Sequence, residues 1–546
     1  MRLVERRIGL LFALFLTLLG FATVRALWIG TVKAGSLKDR AVTQQEEDLT
    51  VTARRGTIFD RNGLELAVSE DAVTVFANPF LIDDLPRVAK RLAPLISRPE
   101  SELLKKLSDR KAGFVYLRRK MDSWVGHKVE GLEIEGIGTV AEPKRTYPQG
   151  QLAAQVLGTV GTDNDGLSGL EYSRDDDLRG EDGRRRIVKD ALGEPVSMVE
   201  VDRAEAGADL RLTVDSAIQE RAEEVLGEVG ATYRPKGATA LVLDPRSGAV
   251  LALANWPGVD ANDVGGAPAW ARQDRSVAVS YEPGSTFKAF TVAGALQERV
   301  ITPDTPFELP PEIRVADRVI GEAHDRGRVT LETTRILAES SNVGSVMIGL
   351  RLGAERFDHW VHRFGFGRST GIELPGEQQG IVPRAKDYSG SSIGNLPIGQ
   401  GLAVTPMQMA AAYTAIADRG IRHEPYIVAG SRRPGRRVLG TRTAEQVSSM
   451  LEGVLGPGGT AQEASVDGYQ LAGKTGTAEK PDGKGGYSKT KFVASFIGYA
   501  PAKDPRLLVV VMVDEPQGDI YGGSVAAPAF ERIVEFALPY LKIPPG

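Results

Sequence analysis

The string YEPGSTFKAF places a serine and a lysine three positions apart, at Ser285 and Lys288. A serine hydroxyl becomes a good nucleophile only when a neighbouring group takes its proton, and a desolvated lysine can serve as that base. Residues i and i+3 share one face of a helix, and Gly284 is typical of a helix start, where N–H groups could hold an oxyanion. The spacing therefore indicates acyl transfer through a serine, although S-x-x-K alone often occurs by chance.

A second string, RILAESSNVGSVMIGL, contains Ser340 and Asn342. These two polar side chains could project into one site from a loop between helices. Taken alone, the string is more typical of a helix cap. It becomes a candidate site only if the fold brings it to Ser285.

A third string, LAGKTGTAE, predicts a strand at the edge of a sheet. Lys474 offers a cation for a carboxylate, and Thr475 and Thr477 offer hydroxyl groups. Gly476 lets a substrate backbone approach the strand closely. By itself the string predicts no more than an edge strand with one lysine.

The order of the three strings is more informative than any one of them. Ser340 follows Ser285 by 55 positions, and Lys474 follows Ser340 by 134 positions. The same trio, with SDN in the middle place, is typical of penicillin-binding proteins and class A β-lactamases. Together the strings predict an active-site serine enzyme.

The elements that must position these strings form one predicted α/β domain, residues 206–546. From Leu210 the sequence predicts a strand and then an amphipathic helix that Asp215 caps. The string ATALVLDPRSGAVLALAN predicts a β-hairpin, and helical segments dominate from 285 to about 420. FVASFIGYA and LLVVVMVDE predict the last strands, and PAFERIVEFALPYL predicts a terminal helix. This order favours an antiparallel sheet packed with helices.

A non-catalytic domain of mixed structure is predicted for residues 31–205. Alternating residues around Asn62-Gly63 predict a hairpin. Residues 82–110 predict two short helices, and a second β-rich stretch with charged turns covers residues 113–205.

The N-terminus carries a candidate membrane anchor. A run of 17 residues without a charge starts at Ile8, Arg25 interrupts it, and Trp28 follows as a possible interfacial anchor. Three arginines precede the run, so residues 1–7 are expected in the cytoplasm, 8–30 in the membrane and the rest outside. The alternative is a cleaved signal peptide, but the run is longer than its usual apolar core.

The composition excludes several classes of protein. The chain has 546 residues, which predicts two to four domains at ~150 residues each. It has no cysteine, which excludes thiol catalysis, disulfides, iron–sulfur clusters and cysteine-based zinc sites. Its 67 basic and 71 acidic residues disfavour nucleic-acid binding. The five histidines form no ligand pattern, so neither a metal nor an organic cofactor is predicted.

Nearly the whole chain resembles a class B penicillin-binding protein, the peptidoglycan D,D-transpeptidase. The resemblance implies a single transmembrane helix, a mixed α+β pedestal of the dimerisation type, and a serine β-lactamase-like transpeptidase domain with an antiparallel sheet and a helical subdomain. Beyond the three short strings, it rests on RRGTIFDRNG (54–63), RTYPQGQLAAQVLG (145–158), GLEYSRDDDLRGEDG (169–183), IGQGLAVTPMQMAAAY (398–413) and GGSVAAPAF (522–530).

Within that family the chain is more similar to the cell-division, FtsI-like type than to the elongation type. YEPGSTFK, RVIGEAHDRGRVTL (318–331) and FGFGRSTGIELPGE (364–377) carry this similarity. The resemblance implies a role in septal cell-wall synthesis, with the elongation type as the alternative.

The resemblance also implies catalytic roles, residue by residue. Ser285 matches the acylated nucleophile and Lys288 its general base. Ser340 matches the proton relay toward the leaving amine, and Asn342 matches the residue that orients the substrate amide. Lys474 matches the cation that supports the relay and the substrate carboxylate.

Substrate-binding roles follow in the same way. Thr475 and Thr477 match contacts to the terminal carboxylate of the donor, and Gly476 lies between them. The backbone N–H groups of Ser285 and Thr477 match the oxyanion hole. The donor is a D-Ala-D-Ala stem peptide, the acceptor is an amine of a neighbouring stem, and β-lactam antibiotics would acylate the same serine.

The resemblance also implies partner proteins, and other functions remain as alternatives. By resemblance, the partners are an FtsW-like glycosyltransferase of the shape, elongation, division and sporulation (SEDS) family and other division proteins. A D,D-carboxypeptidase or β-lactamase of the same fold is the main alternative, but it would need neither the pedestal nor the anchor. A non-catalytic scaffold or β-lactam sensor and an unrelated membrane-anchored esterase explain the sequence less well.

Overall fold

The computed structural model describes residues 2–31, 46–110, 113–189, 195–324, 326–483 and 486–545. Contacts divide the chain into two compact units, and each unit is assembled from separate segments. Unit 1 contains residues 1–54, 71–144 and 180–207. Unit 2 contains residues 55–70, 145–179 and 208–546.

Strands occur in both units. In chain order they are β1 (Glu46–Val51), β2 (Ile58–Phe59), β3 (Glu65–Glu70), β4 (Ala72–Ala77), β5 (Val115–Asp122), β6 (Ile137–Ala141), β7 (Lys144–Thr146), β8 (Gly183–Lys189), β9 (Pro195–Asp202), β10 (Leu210–Arg211), β11 (Gly237–Leu243), β12 (Val250–Trp256), β13 (Pro306–Leu309), β14 (Glu312–Val315), β15 (Arg318–Gly321), β16 (Val329–Glu332), β17 (Ile421–Arg422), β18 (Arg436–Arg437), β19 (Ala472–Pro481), β20 (Tyr487–Ala500) and β21 (Leu507–Asp514).

The helices vary widely in length. They are α1 (Arg2–Thr31), α2 (Leu85–Leu92), α3 (Glu100–Leu107), α4 (Ser123–Glu130), α5 (Ala154–Leu157), α6 (Gly169–Ser173), α7 (Asp175–Leu178), α8 (Ser216–Tyr233), α9 (Arg275–Ala278), α10 (Lys288–Gln297), α11 (Thr333–Ala338), α12 (Asn342–Leu352), α13 (Ala354–Arg363), α14 (Ser392–Asn395), α15 (Pro406–Ala417), α16 (Thr441–Glu452), α17 (Gly522–Val525) and α18 (Ala527–Tyr540).

Helix α1 is long and apolar enough to cross a membrane. Its segment Arg6–Thr31 has 26 residues and a mean hydropathy of 2.1. The rest of the protein buries none of the most apolar part of this segment. At 1.5 Å per residue, such a helix exceeds the ~30 Å of a bilayer core. Length and composition therefore agree with the predicted anchor.

Unit 1 contains two three-stranded sheets. Strands β5, β4 and β6 form one of them, and β1, β8 and β9 form the other. One face of the first sheet packs on α2, α3 and α4 through a small core that includes Val75, Leu92, Leu103 and Leu117. The two helices predicted within residues 82–110 are α2 and α3, as expected.

Unit 2 is built on a five-stranded antiparallel sheet with the order β12-β11-β21-β20-β19. Every residue of β11 and β21 is buried, so helices must cover both faces of the sheet. Helices α8 and α18 contact each other and pack on the sheet, and α15 packs on β11 and β21. The sheet, its edge strand β19 and the terminal helix were all predicted from the sequence.

The structure differs from the sequence expectation between residues 306 and 332. Strands β13–β16 lie there as two small antiparallel pairs, within a stretch expected to be mainly helical. Each of these strands is four residues long, the lower limit for a period-2 pattern, and β13 does alternate exposed and buried residues.

Candidate active site

Ser285 lies in a tight 3-10 turn, Gly284–Phe287, that leads directly into α10. Gly284 has φ +53°, and a Cβ added to it would lie 3.1 Å from the Cβ of Ala478 in strand β19. A glycine is therefore needed for both the turn and the close approach to the strand. The turn positions Ser285, which is half-buried, beside the edge of the sheet.

Lys288 begins α10 and is completely buried. Its Nζ donates hydrogen bonds to the backbone oxygen of Ser340 at 2.6 Å and to Oδ1 of Asn342 at 2.7 Å. It also lies 3.3 Å from Oγ of Ser340. Burial lowers the pKa of Lys288 to about 7, although Glu322 opposes this shift. A lysine in this state can exist as a neutral amine at physiological pH and accept a proton.

The SSN string forms the predicted loop between two helices, α11 and α12. Ser340 has φ +60°, a left-handed conformation that a residue other than glycine adopts at a cost of ~1–3 kcal/mol. Ser341 caps α12, because its Oγ accepts from the N–H of Gly344 at 2.9 Å. In this conformation the carbonyl oxygen of Ser340 lies 2.6 Å from Nζ of Lys288.

Glu322 supports this loop, and its role was not predicted from the sequence. Its carboxylate accepts hydrogen bonds from Oγ of Ser341 and from the backbone N–H of Asn342, both at 2.7 Å. Arg326 donates to the same carboxylate at 2.6 Å and to Oγ of Ser341 at 2.9 Å. Glu322 lies in the string RVIGEAHDRGRVTL, which contributed to the family resemblance but gave no sign of contacts 19 and 20 positions downstream.

Lys474 lies on β19 and is also completely buried. Its Nζ donates to the backbone oxygen of Thr475 at 3.2 Å and to its Oγ1 at 3.3 Å. Burial lowers its pKa well below the ordinary value, and the nearby charge of Lys288 lowers it further. The S-x-x-K and K-T-G strings also lie side by side, since a Cβ on Gly284 would be 3.1 Å from the Cβ of Ala478.

The remaining residues of the K-T-G string each contact a different part of unit 2. Oγ1 of Thr477 accepts from the N–H of Gly522 at 3.1 Å. A Cβ on Gly476 would clash with Oγ of Ser495 and lie 2.9 Å from Cγ2 of Thr286, so the strand passes directly against the serine turn. Thr475 hydrogen-bonds through Oγ1 to Oγ1 of Thr460 at 2.6 Å.

The structure thus brings all three strings together, with one difference in detail. Among the described residues, the partners of Lys288 Nζ are Ser340 and Asn342, and Ser285 Oγ is not one of them. Catalytic hydrogen bonds are often long before the substrate binds, so this arrangement is compatible with Lys288 as a base. Thr460, Glu322 and Gly522 are contacts of the site that sequence reasoning missed.

Comparisons with known proteins agree with this geometry. Residues 238–535 match the penicillin-binding protein transpeptidase domain, and residues 50–212 match the penicillin-binding protein dimerisation domain. The chain is 35% identical to the probable peptidoglycan D,D-transpeptidase PenA of Neisseria meningitidis, over 95% of this chain and 90% of that protein. It is 32% identical to the peptidoglycan D,D-transpeptidase FtsI of Escherichia coli K12, over 99% and 92%.

Solved structures extend the likeness to three dimensions. A peptidoglycan synthetase from Bifidobacterium adolescentis has a TM-score of 0.73 and 29% identity, covering 92% of this chain and 98% of that one. Penicillin-binding protein 3 of Mycobacterium tuberculosis, in complex with aztreonam, has a TM-score of 0.71 and 30% identity, covering 91% and 98%. With the three strings in one site and both domains matched, the chain belongs to the class B penicillin-binding proteins and is similar to FtsI.

Proposed function

We propose that this protein is a serine D,D-transpeptidase that cross-links peptidoglycan stem peptides during septal cell-wall synthesis. The observation that carries the proposal is the buried Lys288, whose Nζ is held between Ser340 and Asn342 beside the turn of Ser285. This arrangement supplies a nucleophile, a base with a lowered pKa and polar groups for a peptide substrate. The chain covers 90% and 92% of the length of the two relatives named D,D-transpeptidase.

Acylation would begin at Ser285. Lys288, as a neutral amine, takes the proton of the hydroxyl while Oγ attacks the carbonyl carbon between the two D-alanines of the donor. Backbone N–H groups of Ser285 and Thr477 stabilise the resulting oxyanion. The C–N bond breaks, and the leaving D-alanine amine receives its proton through Ser340. The product is an ester between Ser285 and the donor stem.

Transfer would reverse these steps with a new nucleophile. An amine of a neighbouring stem loses its proton to the Lys288–Ser340 pair and attacks the ester carbonyl. A new amide forms and Oγ of Ser285 regains a proton. Lys474, Thr475 and Thr477 bind the carboxylate end of the donor, and Asn342 orients its amide. A β-lactam would acylate the same serine as its ring C–N bond breaks, and that ester would be hydrolysed slowly.

We infer that α1 anchors the protein in the cell membrane as a single span. The arginines that precede the apolar run support a cytoplasmic N-terminus, which places both units on the outer side. An FtsW-like glycosyltransferase of the SEDS family is the proposed membrane partner, together with other division proteins. This proposal rests on the FtsI-like relatives and on the apolar, unburied surface of α1.

Hydrolases of the same fold are the second candidate, and one experiment separates a β-lactamase from the transpeptidase. Full-length protein in detergent is incubated with a labelled penicillin, and the adduct is located by peptide mass. A stable adduct on Ser285, lost in Ser285→Ala, supports the transpeptidase. Rapid turnover without an adduct would favour a β-lactamase, and neither adduct nor turnover from folded protein would contradict a penicillin-reactive serine.

A further inference from the structure

The segment that joins α15 to α16 in unit 2 is strongly basic. Between Asp418 and Glu445 the chain has seven arginines, no lysine and a single acidic residue, Glu424. Over the whole chain basic and acidic residues are nearly balanced, at 67 and 71. None of these arginines belongs to the three catalytic strings. A run of arginines without lysine favours planar, two-pronged recognition of an anion over a diffuse positive surface.

The fold brings several of these arginines together instead of spreading them over the surface. Strands β17 and β18 pair so that Arg422 lies directly opposite Arg436, although like charges in that arrangement destabilise a pair of strands. Nη2 of Arg436 also donates to the backbone oxygen of Arg363, the last residue of α13, at 2.9 Å. Among the described residues, the one nearby carboxylate is Glu424, which pairs with Arg422 and Arg433.

Arg422 is buried, and its charge has little compensation. The residue is only 3% exposed, and a Cβ on Gly365 would lie 2.8 Å from its Nε, so the guanidinium packs directly on that backbone. Nε has no hydrogen-bond partner among the described residues. The carboxylate of Glu424 is 3.6 Å from Nη1, too far for a hydrogen bond. A buried charge in this state is costly, and a bound anion would remove that cost.

The charge of Arg422 persists at neutral pH. Burial lowers its pKa to about 10, with further lowering by the charges of Arg368 and Arg436 and opposition from Glu424. Glu424 is itself shared, because Nη1 of Arg433 donates to it at 2.9 Å. Five guanidinium groups therefore surround one carboxylate. This arginine cluster consists of Arg363, Arg368, Arg422, Arg433 and Arg436.

The number of charges indicates the kind of anion. Five guanidinium groups and one carboxylate leave an excess of four positive charges. A carboxylate brings one negative charge, and a single phosphate monoester brings about two at neutral pH. Linked phosphates bring more, and their oxygens match the fork of an arginine. Arg368, Arg433 and Arg436 are exposed, so a ligand can reach the cluster from solvent.

We propose that the arginine cluster binds a ligand with two or more linked phosphate groups, with Arg422 and Arg436 on the same phosphate. The ligand is either a soluble polyphosphate or the diphosphate headgroup of a lipid, since the recognised chemistry is the same. The site is separate from the catalytic strings and takes part in no step at Ser285. It does not depend on the proposed transpeptidase activity.

The test is a calorimetric titration of full-length protein in detergent with tripolyphosphate, at constant ionic strength. Arg436→Gln, at an exposed position, should weaken binding at least about tenfold, the range of one charge-assisted hydrogen bond. Arg422→Met should weaken it by a similar factor. Without ligand, Arg422→Met should unfold at the wild-type temperature or above, because it removes a poorly compensated buried charge. Arg532→Gln is the matched control, since Arg532 pairs with Glu228 on the surface of unit 2 and should bind as the wild type.

Two further probes identify the source of the phosphates. Farnesyl diphosphate that binds more tightly than pyrophosphate, with the binding weakened in Arg436→Gln, supports a lipid headgroup. Equal affinity of these two probes, below that of tripolyphosphate, supports a soluble polyphosphate. The proposal is overturned if folded wild-type protein binds tripolyphosphate no more tightly than sulfate. Equal weakening in Arg436→Gln and Arg532→Gln overturns it as well, because the binding would then reflect general charge.

Discussion

The Nζ of Lys288 lies 2.7 Å from Oδ1 of Asn342, although 54 positions separate the two residues in the chain. The same nitrogen lies 2.6 Å from the backbone oxygen of Ser340. Lys288 is therefore positioned by the SSN loop as well as by its own helix. Any substitution that moves that loop should therefore change the pKa of Lys288.

The first prediction concerns the pH dependence of acylation. Burial lowers the pKa of Lys288 to about 7, and only the neutral amine can take the proton of Ser285. The rate constant for penicillin acylation should therefore rise about tenfold per pH unit below pH 7 and level off above it. Stopped-flow measurements between pH 5.5 and 9 would show this. A flat profile would contradict Lys288 as the base.

The second prediction concerns Glu322 as a positioning residue. Its negative charge raises the pKa of Lys288, against the larger effect of burial. Removing that charge in Glu322→Gln should lower the pKa, so the midpoint of the pH profile should move to lower pH. Glu322→Ala also removes the hydrogen bonds to Ser341 and Asn342 and should slow acylation by about tenfold or more.

Glu339→Gln is the matched control for Glu322. Glu339 lies next to the SSN string, but its carboxylate pairs with Arg326 and Arg335 rather than with the loop backbone. The midpoint of the pH profile of Glu339→Gln should stay within experimental error of the wild-type value. If Glu322→Gln and Glu339→Gln shift the midpoint equally, the effect is general electrostatics and Glu322 has no special role.

The third prediction concerns the approach of α17 to the active-site strand. A Cβ on Gly522 would clash with the backbone oxygens of Gly476 and Ser495. Gly522→Ala should therefore destabilise the protein by ~1–3 kcal/mol and slow acylation, because β19 must move. Gly227→Ala is the control, since nothing lies within 4 Å of its added Cβ inside helix α8. It should stabilise the protein by ~0.5–1 kcal/mol, as thermal unfolding would show.

The fourth prediction concerns a buried ion cluster within unit 2. The carboxylate of Glu171 accepts from Nε of Arg55 at 2.9 Å and from Nε of Arg145 at 2.6 Å, and the side chains of Glu171 and Arg55 are fully buried. Glu171→Gln leaves Arg55 with Asp175 as its carboxylate partner but removes the carboxylate that the buried Arg145 contacts, and it should cost ~3–5 kcal/mol in denaturant unfolding. Glu228→Gln, at the exposed pair with Arg532, should cost no more than ~1 kcal/mol. Equal losses in the two variants would contradict this account.

Much of the fold could be predicted because its signals are local. Alternating and continuous apolar runs identified the hairpin of β11 and β12 and the strands β20 and β21, and an apolar 17-residue run identified α1. Asp215 at the N-cap of α8 was also predicted, and its carboxylate accepts from the N–H of Ala217. Each of these features depends on neighbours within a few positions.

The three short strings were also sufficient to predict the catalytic candidates, since their order along the chain is itself a pattern. Sequence determined that a serine, two lysines, an asparagine and an edge strand would belong to one site. It did not determine their distances. The approach of Lys288 to Asn342 arises from the packing of α10 against α12.

Tertiary structure alone decided the environment that gives these residues their chemistry. The burial that lowers the pKa of Lys288 and the contacts of Glu322 with the SSN loop both join segments far apart in the chain. Desolvation and charge–charge interactions depend on distance in space rather than on position in sequence. A linear pattern can therefore name the reacting groups, while the fold sets which of them can exchange a proton.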